Sequence, residues 1–378
     1  NNLPKVKDIE TMILLLKSLG ANIKYTKDEN SVLIENNKKI KTFAAYKLVK
    51  TMRAGILVLG SLLARTGKAI VSLPGGCAIG TRPIDIHLKS LSKLGMNYKI
   101  FKGYVYANAP RGLVGTKIKF PKISVGATEN LIIAATFAKG KTTLYNCATE
   151  PEIKDLVNFL NKLGCKIKWI GRRSVNIIGV KNLNKVNYDI MFDRIEAGTY
   201  LIAAALTEGH LKISKVKPKI ISTEINILKK IGAKIKLKSN SIFIKGSKKI
   251  KRINIKTAPY PGFPTDLQAQ MMVLLCKANS KSTIKEKIFE NRFMHVSELN
   301  RLGANIKIKK DIAYVAGNTK FKGAQVMASD LRASVSLVLA GLCAKGETTV
   351  NRVYHLDRGY EKIEETLGIC GPIIRREK

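Results

Sequence analysis

The residues best suited to chemistry gather in a few short runs. LPGGCAIGTRPIDIH sets Cys77 among Gly75, Gly76 and Gly80, five positions ahead of Arg82 and eight ahead of Asp85. A thiol beside a guanidinium is more reactive than an isolated one. Three glycines within six residues suit a mobile lid. PGFPTDLQAQ carries Asp266, which is either a helix cap or a carboxylate able to take a proton. ENRFMHVSELNRLG brings Arg292 and His295, DLRAS brings Asp330 and Arg332, and HLDRGYE brings His355, Asp357 and Arg358. Arg53 opens another such run. Only 15 of the 67 basic residues are arginines. Their clustering, Arg292 included, suggests bidentate binding of a substrate with carboxylate and phosphate groups, although each taken singly is more often a salt-bridge residue. SVGATEN, from Ser124, opens a helix whose free amides would hold phosphate, or is an ordinary Ser/Gly start. The other cysteines, Cys147, Cys165, Cys276, Cys343 and Cys370, fall on or beside structured apolar pieces and are expected in the core. The glycine run is neither a Walker loop nor GxGxxG, and with no CxxC or HExxH in the chain neither a structural zinc site nor a zincin is expected.

The elements that must position these runs come from an internal repeat. SLGANIKY, KLGMNYKI, KLGCKIKW, KIGAKIKL and RLGANIKI each place a glycine between an amphipathic helix and an alternating strand, at Gly20, Gly95, Gly164, Gly232 and Gly303. A degraded sixth copy, TLGICGPII, places Gly368. Five helices that are apolar or small all round interleave with these, among them ATENLIIAATFAKG and LRASVSLVLAGLCAKG. Six units therefore divide three plus three, with a boundary near 187–192. The expected fold is α+β, two similar domains of three units each, facing each other across a ligand site. The interval between the two helix-ending glycines is 28 residues from Gly67 to Gly95 but 24 from Gly140 to Gly164. The excess falls on the Cys77 loop. The first unit lacks its buried helix, so about 40 residues are expected ahead of Asn1.

Composition narrows the class. The 378 residues are 45% hydrophobic, with a mean hydropathy of −0.02, as in globular proteins. The longest apolar stretch, Ala54 to Ala64, is 11 residues, too short to span a bilayer. Six scattered cysteines and no signal peptide point to a reducing cytoplasm. The net charge of +40 raises nucleic acid as a partner, but the lysines are dispersed in short pieces with no dense stripe. No nucleic-acid or membrane partner is expected.

Taken together in one order, LPGGCAIGTRPIDIH, FPTDLQAQ, ENRFMH, DLRAS and DRGYE resemble the UDP-N-acetylglucosamine 1-carboxyvinyltransferases of the enolpyruvyl transferase family. The resemblance covers essentially the whole chain. It implies two inverse α/β-prism domains, each a pseudo-threefold repeat of ~70-residue βαβαββ units, over residues 1–191, with a lid at 73–83, and 192–378. It implies transfer of enolpyruvate from phosphoenolpyruvate to the 3′-hydroxyl of UDP-N-acetylglucosamine, opening peptidoglycan synthesis, by a monomer with no metal or organic cofactor. By motif, Cys77 matches the lid proton donor and fosfomycin target, and Asp266 the carboxylate that meets the sugar hydroxyl. Arg82 and Arg358 match phosphoenolpyruvate ligands, and Asp330 and Arg332 support the chemistry. Arg53, Arg82, Pro83, Ile84, Asp85, Ile86, Lys122, Ile123, Ser124, Val125 and Ile288 match sugar-nucleotide contacts. The family's amino-terminal Lys-Asn pair has no match in this sequence. Three alternatives stand beside this one: the shikimate-pathway transferase, which lacks the cysteine lid, an inactive fragment, and a basic nucleic-acid-binding protein on the same scaffold.

Overall fold

The computed structural model describes residues 1–36, 39–75 and 83–377. These form two compact units that meet in the chain between Met191 and Phe192. Among the described residues no helix is long and apolar enough to cross a membrane.

One sheet plan recurs. In the first unit, Phe43–Ala44, Lys68–Ser72, Tyr104–Asn108 and Asn97–Phe101 lie side by side in that order, and so do Lys117–Lys119, Lys141–Tyr145, Ser174–Ile178 and Lys166–Gly171. In the second, Asn254–Lys256, Ser282–Lys285, Ile312–Val315 and Ile306–Lys309 repeat it. The first two strands of each sheet are parallel and the rest antiparallel. A parallel pair needs a crossover, and the all-apolar helix supplies it. The remaining sheets are shorter: a hairpin of Asn22–Thr26 and Ser31–Glu35, a three-stranded sheet led by His210–Ser214, and the pair Gln325–Met327 and Thr349–Asn351.

The two helix types behave as their patterns require. Every residue of Gln268–Cys276 is buried, whereas Pro151–Lys162 buries only Pro151, Ile153, Val157 and Leu160 along one face. Each unit has its own apolar core. The five repeat glycines are left-handed, with φ between 96° and 115°. Around Gly20, for example, the Gly20 N–H donates to Lys17 and that of Ala21 to Leu16. That is the Schellman closure, which glycine makes without a Cβ clash.

The sixth copy departs from the pattern. Helix Ile363–Gly368 runs through Gly368, and the left-handed residue is Gly371, at φ 113°. Pro372 follows, with no N–H to extend a ladder, and among the described residues no strand comes after it. The tail is instead fastened by Arg376, whose guanidinium donates to Asp357 at 2.7 and 2.9 Å and to Glu364 at 2.9 Å.

The helix contacts permit a direct stability test. A Cβ on Gly60 would stand 2.2 Å from Asn130 Oδ1, the atom that accepts the Gly60 N–H. A Cβ on Gly140, at φ 83°, would meet nothing within 4 Å. Urea denaturation should therefore show Gly60→Ala losing about 3 kcal/mol or more through overpacking and a broken buried hydrogen bond. Gly140→Ala should lose only the left-handed penalty of about 1–2 kcal/mol.

Candidate active site

In the second unit, three repeats contribute to one polar cluster. Asp266 lies in the turn Thr265–Leu267, where Pro264 takes the N-cap position. Its carboxylate faces two cations: Oδ1 accepts from Arg292 Nη2, and Oδ2 lies 3.6 Å from Arg332 Nη2. The arginine side chains are 5% and 15% exposed and the aspartate 42%, so the anion is the open end of the cluster. Burial opposes the Arg332 charge, but Asp266, Tyr360 and Asp193 more than offset it and raise its pKa. Behind Arg332, the buried Tyr360 hydroxyl lies 3.4 Å from its Nη1 and 2.8 Å from Thr199 Oγ1. Gln270 Nε2 donates to Thr199 Oγ1 at 3.1 Å and to the Asp266 carbonyl at 3.0 Å. The Asp266 carboxylate is thus engaged by two guanidiniums.

Asp330 is a cap. Its Oδ1 accepts from the N–H groups of Arg332 and Ala333 at 2.9 and 3.2 Å. It thereby fixes the start of Leu331–Gly341, the helix that carries Arg332. His295 is 2% exposed, and its Nε2 has no hydrogen-bond partner among the described residues. Burial pushes its imidazole down to about 4, with Arg292 adding to the effect and Asp330 opposing it. His355 is lowered by burial and then by Arg358, with Asp330 opposing. Arg358, on the turn Val353–Arg358, thus shares this neighbourhood. Ile288 is half-buried, and its N–H donates to Glu286 Oε1 at 2.8 Å.

In the first unit, three element starts converge on His87. Arg53 opens the turn Arg53–Leu57, Asp85 opens Asp85–Lys93, and Ser124 caps Val125–Ala135 by accepting from Ala127 N–H at 3.3 Å. His87 Nδ1 lies 3.1 Å from Asn130 Nδ2, and a Cβ on Gly126 would meet its Cε1 at 3.2 Å. Burial and then Arg53 push its pKa down to about 4. Pro83 and Lys122 are exposed, Ile84 and Ile86 buried, and Ile123 half-buried. Val125 is exposed at the helix start, and Asp85 pairs with Lys89 at 3.9 Å. Cys77 and Arg82 lie outside the described residues, as does most of the expected lid. Gly75 is described, and it serves close packing: a Cβ there would stand 2.1 Å from the Lys50 carbonyl oxygen.

The cysteine expectation needs one correction. Cys147, Cys165 and Cys276 are buried, and burial drives the first and last thiols up to about 12. Cys343 is half-buried, but Cys370 is exposed. Among the described residues no group of three or more His, Cys, Asp or Glu could hold a metal ion.

The comparisons with known proteins decide the family. The family model for EPSP synthase (3-phosphoshikimate 1-carboxyvinyltransferase) matches residues 1–367. A Pelagibacter ubique (strain HTCC1062) protein named UDP-N-acetylglucosamine 1-carboxyvinyltransferase is 72% identical over 375 residues, 99% of this chain and 89% of that protein. The chain belongs to the enolpyruvyl transferase family. A second protein of the same name, from Geobacter metallireducens, is 51% identical over 100% of this chain and 90% of its own. The crystal structure of the enolpyruvyl transferase NikO from Streptomyces tendae covers 98% of this chain and 88% of its own, with a TM-score of 0.86. At 22% identity it supports the fold alone.

Sequence reasoning about this transferase missed Thr199, Gln270, Tyr360, His87, Asn130 and Glu286. Polar residues inside otherwise apolar helices were the available signal for Thr199, Gln270 and Asn130.

The buried titratable groups give a pH test. His87 and His295 titrate near 6.5 unfolded and about 4 folded. The unfolded chain therefore binds more protons below pH 6.5, and stability falls as pH drops toward 4. Glu196 does the reverse: burial, then Asp193 and Glu361, push it up to about 7. The folded state binds its proton first, so acidification from pH 7 to 4.5 adds stability. Glu196→Gln should therefore make denaturation midpoints fall more steeply with acidification below pH 6.5 than in the wild type. It should also raise stability at pH 8 by about 1–3 kcal/mol.

Proposed function

We propose that this transferase moves the enolpyruvyl group of phosphoenolpyruvate to the 3′-hydroxyl of UDP-N-acetylglucosamine and releases phosphate, the first committed step of peptidoglycan synthesis. The observation that carries the acceptor's identity is the 72% identity to the Pelagibacter ubique protein named for that acceptor. The cysteine in LPGGC favours the same acceptor over shikimate 3-phosphate.

In this reading the Cys77 thiol gives its proton to C3 of phosphoenolpyruvate, which makes C2 electrophilic. The sugar 3′-oxygen bonds to C2 as its proton passes to Asp266, giving a tetrahedral ketal. The C2–O bond to phosphate then breaks, and C3 returns a proton to the Cys77 thiolate, restoring the double bond and the thiol. Arg82 and Arg358 hold the phosphate and carboxylate charges, and Arg292 and Arg332 orient Asp266. Arg53, Pro83 to Ile86, Lys122 to Val125 and Ile288 bind the sugar nucleotide. The enzyme acts as a cytoplasmic monomer with no nucleic-acid partner.

The test is acceptor dependence. Phosphate release from phosphoenolpyruvate should require UDP-N-acetylglucosamine, and shikimate 3-phosphate should not replace it. Fosfomycin should block this release by alkylating Cys77 ahead of the exposed Cys370, as peptide mass spectrometry would show. Release driven equally by shikimate 3-phosphate, or labelling confined to Cys370, would count against the reading.

A further inference from the structure

We infer that Glu286 is a positioning residue for the acceptor-sugar subsite, fixing the Asp266 turn and the Ile288 turn on one buried carboxylate. This deepens the proposed function and rests on its assignment of Asp266 and Ile288 to the sugar nucleotide.

Glu286 is 4% exposed, directly after the strand Ser282–Lys285. Its Oε1 accepts from Thr257 Oγ1 and Ile288 N–H, both at 2.8 Å, and from Phe289 N–H at 3.3 Å. Its Oε2 accepts from Thr265 Oγ1 at 3.0 Å. These four donors are neutral and come from three chain segments. A buried carboxylate is costly unless hydrogen bonds fill its lone pairs, and here they do.

The arrangement reaches both partners of the central ion pair. Thr265 directly precedes Asp266 in its turn. The ring of Phe289 lies 5.6 Å from the Arg292 guanidinium carbon, and Arg292 donates to Asp266. Glu286 thus sets where the anion starts and where its cation rests, while also aiming the Ile288 backbone. Lys287 N–H donates to Thr257 Oγ1 at 2.9 Å, which ties the same turn to the end of Asn254–Lys256. A glutamine in place of Glu286 would offer one acceptor oxygen and turn an NH2 group toward existing donors.

A purely structural role would lower stability without separating the two substrates; a positioning role separates them. The experiment compares wild type, Glu286→Gln and Thr265→Val by calorimetric binding of UDP-N-acetylglucosamine and by steady-state kinetics on the full-length protein. Glu286→Gln should weaken UDP-N-acetylglucosamine binding about tenfold and raise its KM in step, leaving the phosphoenolpyruvate KM within about twofold. Thr265→Val cuts only the tie to the Asp266 turn, so it should lower kcat about fivefold with sugar-nucleotide affinity nearly unchanged. Unchanged sugar-nucleotide affinity in Glu286→Gln, or equal rises in both KM values, would overturn the inference. Should Glu286→Gln fail to fold, an unaltered kcat in Thr265→Val overturns it alone. Wild type that is folded but does not bind UDP-N-acetylglucosamine removes the proposed function as well. Wild type that binds while both variants match it removes only the role of Glu286.

Discussion

A half-open carboxylate held by two guanidiniums, that of Arg292 buried and that of Arg332 mostly so, is the interaction on which the second unit depends. Arg292 and Arg332 are far less exposed than Asp266, and a buried cation is tolerated only when it is paired and hydrogen-bonded. The surrounding polar groups serve that end. Tyr360 and Thr199 back Arg332, Gln270 holds the Asp266 backbone, and Asp330 caps the helix from which Arg332 projects. These residues come from three successive repeats, so the site exists only when all three pack together. Threefold repetition is thus a condition for the chemistry, because it brings the starts of Arg194–Leu206, Gln268–Cys276 and Leu331–Gly341 into one place.

The first unit answers a related problem with neutral groups. Asn130 lies inside an apolar helix, where its amide oxygen accepts from Gly60 N–H and its nitrogen donates to the Ile56 carbonyl and meets His87. A buried network of this kind stabilises only when its members are satisfied. It holds three element starts against one another, and Gly60 is needed because no side chain fits over Asn130. Burial and the nearby Arg53 charge hold His87 neutral there.

How much was legible follows from the range of each interaction. The five Schellman glycines are local signals, each within six residues of the helix turn it closes, and they gave both the period and the strand that follows. Gly368 misled because its neighbours no longer carry the motif: Ile369 takes the C-cap position, and the left-handed glycine is Gly371. Asp266, Arg292, Arg332 and Arg358 were visible as rare charged types at unit starts in a lysine-rich chain. Their pairing was not visible, since Arg292 is 26 residues from Asp266. Tyr360 and Thr199 are 161 residues apart, and the Glu286 bond to Thr257 spans 29. Contacts of that range are set by packing, and a periodic pattern predicts where helices and strands fall without saying which polar side chains meet between them.

The most direct measurement of the central claim is single-turnover kinetics with Asp266→Asn, a change that keeps the side chain's shape while removing the charge between the two guanidiniums. If Asp266 takes the acceptor's proton, the rate of ketal formation should fall by about 10²-fold or more while the dissociation constant for UDP-N-acetylglucosamine changes much less. A turnover rate within about twofold of wild type would contradict the account and leave Asp266 as a structural counter-ion.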